Sequence, residues 1–80
     1  MKAHEWNRML KKFNRRGFVI ATSEEEAVAV RQAIEEVLKV KADIVHLGPR
    51  HWFIYKAEVL DRWIESGILR RKDGKPIERL

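Results

Sequence analysis

Two of the chain's three histidines, His46 and His51, flank the turn in the stretch HLGPRHWFIY, residues 46 to 55, which also holds Trp52, Phe53 and Tyr55. Imidazoles bind metals and move protons near neutral pH, so this is where chemistry is sought first. Two imidazoles fall short of the three or four ligands that zinc takes, and no spacing in the chain obliges His4 or Asp43 to complete the set. Nucleophilic catalysis has less to work with. The only serines, Ser23 and Ser66, stand at helix boundaries, where capping explains a hydroxyl. There is no G-x-S-x-G elbow and no phosphate-cradling glycine loop. The carboxylate pairs Glu58 with Asp61 and Asp61 with Glu65 lie at helical spacing beside Arg62 and read as solvated helix surface. The chain has no cysteine, hence no thiol nucleophile, no thiolate ligand and no disulfide. These residues point to a binding protein without catalysis, metal or cofactor, and to a hairpin that presents Arg50 and His51.

Charge narrows the kind of binding. The net charge is +5, and it is uneven along the chain. Lys2, Arg8, Lys11, Lys12, Arg15 and Arg16 face a single acid, Glu5, within the first 16 residues. Residues 17 to 40 are acidic, residues 41 to 69 are balanced, and Arg70, Arg71, Lys72, Lys75 and Arg79 make the end basic against Asp73 and Glu78. Paired basic segments suit a polyanion such as nucleic acid, whose phosphates are neutralised by lysine and arginine. Lysine and arginine in the last turn of a helix also complement its dipole, which is the structural explanation of KKFNRR.

The elements that must position these residues follow from the apolar periodicity. Trp6, Met9, Leu10 and Phe13 fall at i, i+3, i+4 and i+7, predicting a helix over residues 3 to 15 that stops at Gly17. Phe18 to Ala21 reads as a short buried strand. Ser23 with Glu26 fits a capping box, and the acidic triplet Glu24 to Glu26 suits a helix N-terminus. The helix so opened runs to about Val40, with Ala27, Val30, Ala33, Ile34, Val37 and Leu38 inward. Ile44 to Leu47 and Trp52 to Tyr55 form two strands joined by the four residues Gly48 to His51. A third helix spans residues 56 to 66, with Val59, Leu60, Trp63 and Ile64 inward. Beyond it lies a basic tail, residues 70 to 80, either free or folded into a small hairpin at Asp73-Gly74.

Eighty residues make a single domain, 1 to 80. Its class is α+β, in the order α-β-α-β-β-α, with a three-stranded sheet packed against helices. No apolar run reaches the roughly 18 residues of a membrane span, and MKAHEWNRML has no signal-peptide core. With the missing cysteines, that gives an expectation of a cytoplasmic protein with no membrane partner.

HLGPRHWFIYKAEVLDRWIESG, residues 46 to 67, resembles the wing and following helix of excisionase-like and MerR-like winged helix-turn-helix proteins. Gly48, Arg50, Trp52, Ile54, Leu60, Trp63 and Ile64 sit close to the family's positions, with about one residue inserted before the helix. The resemblance covers about a quarter of the chain. It implies an accessory factor of a phage or mobile element, with Arg50 as a wing-tip phosphate contact and Trp52 and Trp63 as core. The family's helix-turn-helix precedes the wing, whereas residues 23 to 40 here read as one acidic helix.

The expectation is therefore a small basic nucleic-acid-binding protein, with DNA favoured over RNA. Its contacts are Lys11, Lys12, Arg15 and Arg16 on the first helix, Arg50 and His51 at the turn, and Arg70, Arg71 and Lys72 near the end. The alternative is a protein–protein interaction module, an inhibitor, adaptor or homodimer, using an exposed sheet face or edge. Seven aromatics and a 45% apolar share favour it, being much for 80 residues to hide.

Overall fold

Phe13 of the first helix is fully buried, and Trp6, Met9 and Leu10 pack partly buried beside it, as their spacing requires. The computed structural model describes residues 2 to 80. The helix, α1 (Ala3–Arg16), ends where Gly17 takes a left-handed φ of 87°, a conformation open to glycine because it has no Cβ. The Gly17 N–H donates to the Phe13 carbonyl at 2.7 Å, and its own carbonyl accepts from the Lys56 N–H at 2.7 Å. One glycine thus closes the helix and starts the sheet.

The remaining elements are β1 (Phe18–Ala21), α2 (Glu24–Leu38), β2 (Ala42–Gly48), β3 (His51–Lys56) and α3 (Ala57–Glu65). The fold is α+β, with the expected order of elements. All pairing is antiparallel in the order β1-β3-β2, so the aromatic strand is central, with Val19 opposite Ile54 and Ile44 opposite Ile54 on its other side.

Strand alternation divides the core into two layers. On one face Val19, Ala21, Ala42, Ile44 and Ile54 meet Phe13 of α1 and Ala27, Val30 and Ile34 of α2. On the other, Val45 and Tyr55 meet Val59 and Leu60 of α3, with Phe18, Phe53, Trp63, Leu69 and Ile77 packed around them. Phe18, Tyr55 and Trp63 form an aromatic triangle with centroids 5.5 to 5.7 Å apart. Helices therefore pack on both faces of the sheet.

Four local expectations are corrected. Only half of the capping box forms at α2: the Ser23 hydroxyl accepts from the Glu26 N–H at 3.2 Å, but the Glu26 carboxylate accepts instead from the Thr22 hydroxyl at 3.1 Å. The helix ends at Leu38 rather than near Val40, and Val37 is 61% exposed because the buried stripe runs through Ala27, Val30, Ile34 and Leu38. The hairpin connection is the two residues Pro49 and Arg50, since the ladder continues through an irregularity at Leu47 to pair Gly48 with His51. Residues 70 to 80 are neither a free tail nor a hairpin of their own. Leu69 and Ile77 pack on the α3 layer, Arg79 bridges to Val45, and the Leu80 N–H donates to the Ile44 carbonyl at 2.9 Å. Asp73-Gly74 still turns, with Gly74 at φ 75° and its N–H on the Arg71 carbonyl at 3.2 Å. Among the described residues no helix is long and apolar enough to cross a membrane.

Candidate nucleic-acid interface

The returning C-terminal segment brings Arg70, Arg71 and Lys72 against the β2–β3 hairpin. Between them lies an open groove of about 880 Å³, walled by His46, Leu47, Gly48, Pro49, His51 and Phe53 on one side and by residues 70 to 73 on the other. Gly48 leaves room for the imidazole at this wall, since a Cβ there would stand 2.9 Å from His51 Nδ1. His51 and Phe53 sit two apart on the same strand face, with ring centroids 6.3 Å apart, and give the groove an aromatic side.

The three cations of the opposite wall are not equivalent. Arg71 is paired with Asp73 at 2.9 Å, so its charge is largely answered within the chain. Arg70 donates from Nε to the Gly67 carbonyl at 2.7 Å, which orients the guanidinium and leaves its Nη groups unassigned. Lys72 forms no ion pair among the described residues and is exposed, as is Arg50 at the hairpin tip. Arg50, Arg70 and Lys72 thus present positive charge at the hairpin end of the sheet, beside aromatic rings. Such a set can hold a phosphate and stack a base or sugar against it.

The cations of α1 lie elsewhere. That helix packs on the opposite face of the sheet, and its C-terminus meets Gly17 at the end where Lys56 pairs, away from the hairpin tip. They are also divided among themselves. Lys12 and Arg16 join Arg8 along a second groove of about 270 Å³ beside Phe18, Val19 and Ile20 of β1. Lys11 faces Val37 and Leu38 of α2 across a separate depression, and Arg15 is exposed. Of the nine residues expected to act together, the fold gathers His51, Arg70, Arg71 and Lys72 in one groove, leaves Arg50 at the adjoining hairpin tip, and separates all of these from Lys11, Lys12, Arg15 and Arg16.

His46 and His51 both border the groove, but on opposite faces of the hairpin. The strand register places His46 opposite Trp52, and the two rings stack at 3.6 Å with an interplanar angle of 2° on the α1/α2 side, whereas His51 lies with Phe53 on the other. No group of three or more metal-ligating side chains assembles among the described residues. Sequence reasoning missed Arg8, although Arg8, Lys12 and Arg16 at i, i+4 and i+8 mark one stripe of a helix. It also missed the Arg71–Asp73 pair, which the two-residue spacing across a turn could have suggested. No protein-family model, curated protein or solved structure matches this chain.

Proposed function

We propose that this is a small cytoplasmic nucleic-acid-binding protein whose contact surface is the groove between the β2–β3 hairpin and residues 70 to 73. In this reading Arg50, Arg70 and Lys72 engage phosphates, and His51 and Phe53 lie against sugar or base. Arg71 contributes less, because Asp73 already faces it. The observation that carries the reading is the meeting of the exposed cations Arg70 and Lys72 with the rings of His51 and Phe53 in one groove, with exposed Arg50 at the adjoining hairpin tip. The resemblance of residues 46 to 67 to a wing adds support, and it is the reason to favour DNA over RNA. Lys11, Lys12, Arg15 and Arg16, across the sheet, act in this reading through the long-range positive field rather than by contact.

A salt titration of binding to duplex and single-stranded oligonucleotides tests it. Phosphate contacts release counterions, so about three contacts weaken duplex binding roughly fortyfold between about 50 and 200 mM salt. Affinity that stays flat across that range removes phosphate contact as the basis. Stronger binding to single strands shifts the weight to stacking on His51 and Phe53.

A further inference from the structure

The two outer edges of the sheet are treated differently. The edge of β2 is met by the chain's own C-terminal segment, through the Val45–Arg79 bridge and the Leu80 N–H on the Ile44 carbonyl at 2.9 Å. The edge of β1 is met by no strand among the described residues. Antiparallel pairing alternates between hydrogen-bonded and non-bonded pairs. Because Lys56 bonds to Gly17, the next bonded pair is Val19 with Ile54, which leaves the N–H and C=O groups of Phe18 and Ile20 pointing outward. Ile20, on this edge strand, is also 51% exposed.

Beside this edge runs the groove of about 270 Å³, with Arg8, Lys12 and Arg16 in a row on α1. The acid at its end, Glu5, already accepts from the Lys2 backbone N–H at 3.2 Å. The strip therefore combines unpaired strand backbone, an apolar floor of Met9, Val19 and Ile20, and a positive rail. We propose that the β1 edge is a docking site for an acidic peptide segment, which adds in extended form as a fourth strand. Its backbone pairs with Phe18 and Ile20, alternate apolar side chains cover Ile20, and its carboxylates face Arg8, Lys12 and Arg16.

Charge complementarity selects this occupant. A second copy adding antiparallel about a two-fold normal to the sheet places both α1 helices on the same face, with their basic rows opposed. A nucleic acid could use the rail but not the alternating backbone groups. The site is separate from the groove at the hairpin.

The test is fluorescence anisotropy with the whole protein and a short fluorescein-labelled peptide of alternating glutamate and valine. The expected result is saturable binding that weakens about tenfold or more in the double variant Lys12→Glu, Arg16→Glu. Both positions are exposed on α1, and unchanged circular dichroism confirms that the variant folds. Methylating alternate backbone nitrogens of the peptide leaves the protein untouched and is expected to abolish binding. Equal binding of the methylated peptide, or of a lysine–valine peptide, overturns the proposal. So does displacement of the peptide by a single-stranded oligonucleotide with the same sensitivity to Lys12→Glu, Arg16→Glu. A dimer in sedimentation equilibrium that Ile20→Pro returns to monomer assigns the edge to a second copy and equally overturns it.

Discussion

Arg79 donates from Nη1 to Asp43 Oδ2 at 3.1 Å, tying the C-terminal segment to the outer edge of β2. Its other terminal nitrogen bonds Asp61 on α3, so one guanidinium clips three parts of the chain together. The bond to Asp61, followed by the attraction of both carboxylates, raises the guanidinium pKa above its ordinary value. The side chain is 38% exposed, and solvent screening keeps the energy modest. Arg79→Ala is expected to cost about 0.5 to 1 kcal/mol in urea denaturation. The larger effect is local. Trypsin should cut the variant faster after Arg70, Arg71 and Lys72, because the clip that closes this segment on the sheet is gone. An unchanged cleavage rate there would mean that Leu69 and Ile77 hold the segment unaided.

Gly17 predicts a sharper loss. Its φ of 87° disfavours any residue with a Cβ, and a Cβ built there stands 2.9 Å from Val59 Cγ2 in the α3 layer. Gly17→Ala is expected to destabilise by about 2 to 3 kcal/mol, combining left-handed strain with the contact. Gly74 is the control, because it has φ 75° but nothing within 4 Å of a Cβ. Gly74→Ala should cost only about 1 kcal/mol. Thermal unfolding of the two variants separates backbone strain from the contact with Val59, and equal losses would dismiss the latter.

Why Gly17 stops α1 was readable beforehand, and why it also anchors β3 was not. Helix faces, the strand at Phe18 to Ala21 and the inward alternation of Trp52 and Ile54 follow from local periodicity, which the sequence displays directly. The strand order, the packing of helices on both faces and the return of residues 70 to 80 to β2 depend on contacts between distant residues, such as Arg79 with Asp43. Periodicity is blind to these. For the candidate site the same boundary holds: residue type and charge marked Arg50, Arg70 and Lys72, but only the return of the C-terminal segment brings Arg70 and Lys72 to His51 and Phe53. The basic row of α1 looked like part of the same surface because charge along a sequence carries no information about which side of a sheet it meets.

Tyr55 gives the alkaline limit of stability. Burial pushes its phenol pKa above the ordinary 10.0, so the native state holds the proton after the unfolded chain has begun to release it. Stability is therefore fully present below pH 10.0 and falls as pH rises from there towards the higher native pKa. As the chain's single tyrosine, its tyrosinate absorbance can be followed without ambiguity. Tyr55→Phe should flatten the decline in this window while leaving stability at neutral pH nearly unchanged. A decline of the same steepness in the variant would assign it to other groups.

The division of the basic residues between two sides of the sheet makes the nucleic-acid proposal testable by paired charge reversals. Arg70→Glu with Lys72→Glu removes the two cations of the groove that have no acidic partner among the described residues and puts two acids in their place. Duplex binding should drop by at least about tenfold, and the slope of log affinity against log salt should flatten by about two. Lys11→Glu with Arg15→Glu changes net charge equally but on the far side, so it should slow association and lower affinity only a fewfold, with a nearly preserved slope. Arg71→Glu alone should matter less than Lys72→Glu, since Asp73 lies 2.9 Å from the Arg71 guanidinium. Binding in which the α1 pair costs as much as the 70/72 pair, with equal change in slope, would show that phosphates follow overall charge rather than the groove at the hairpin.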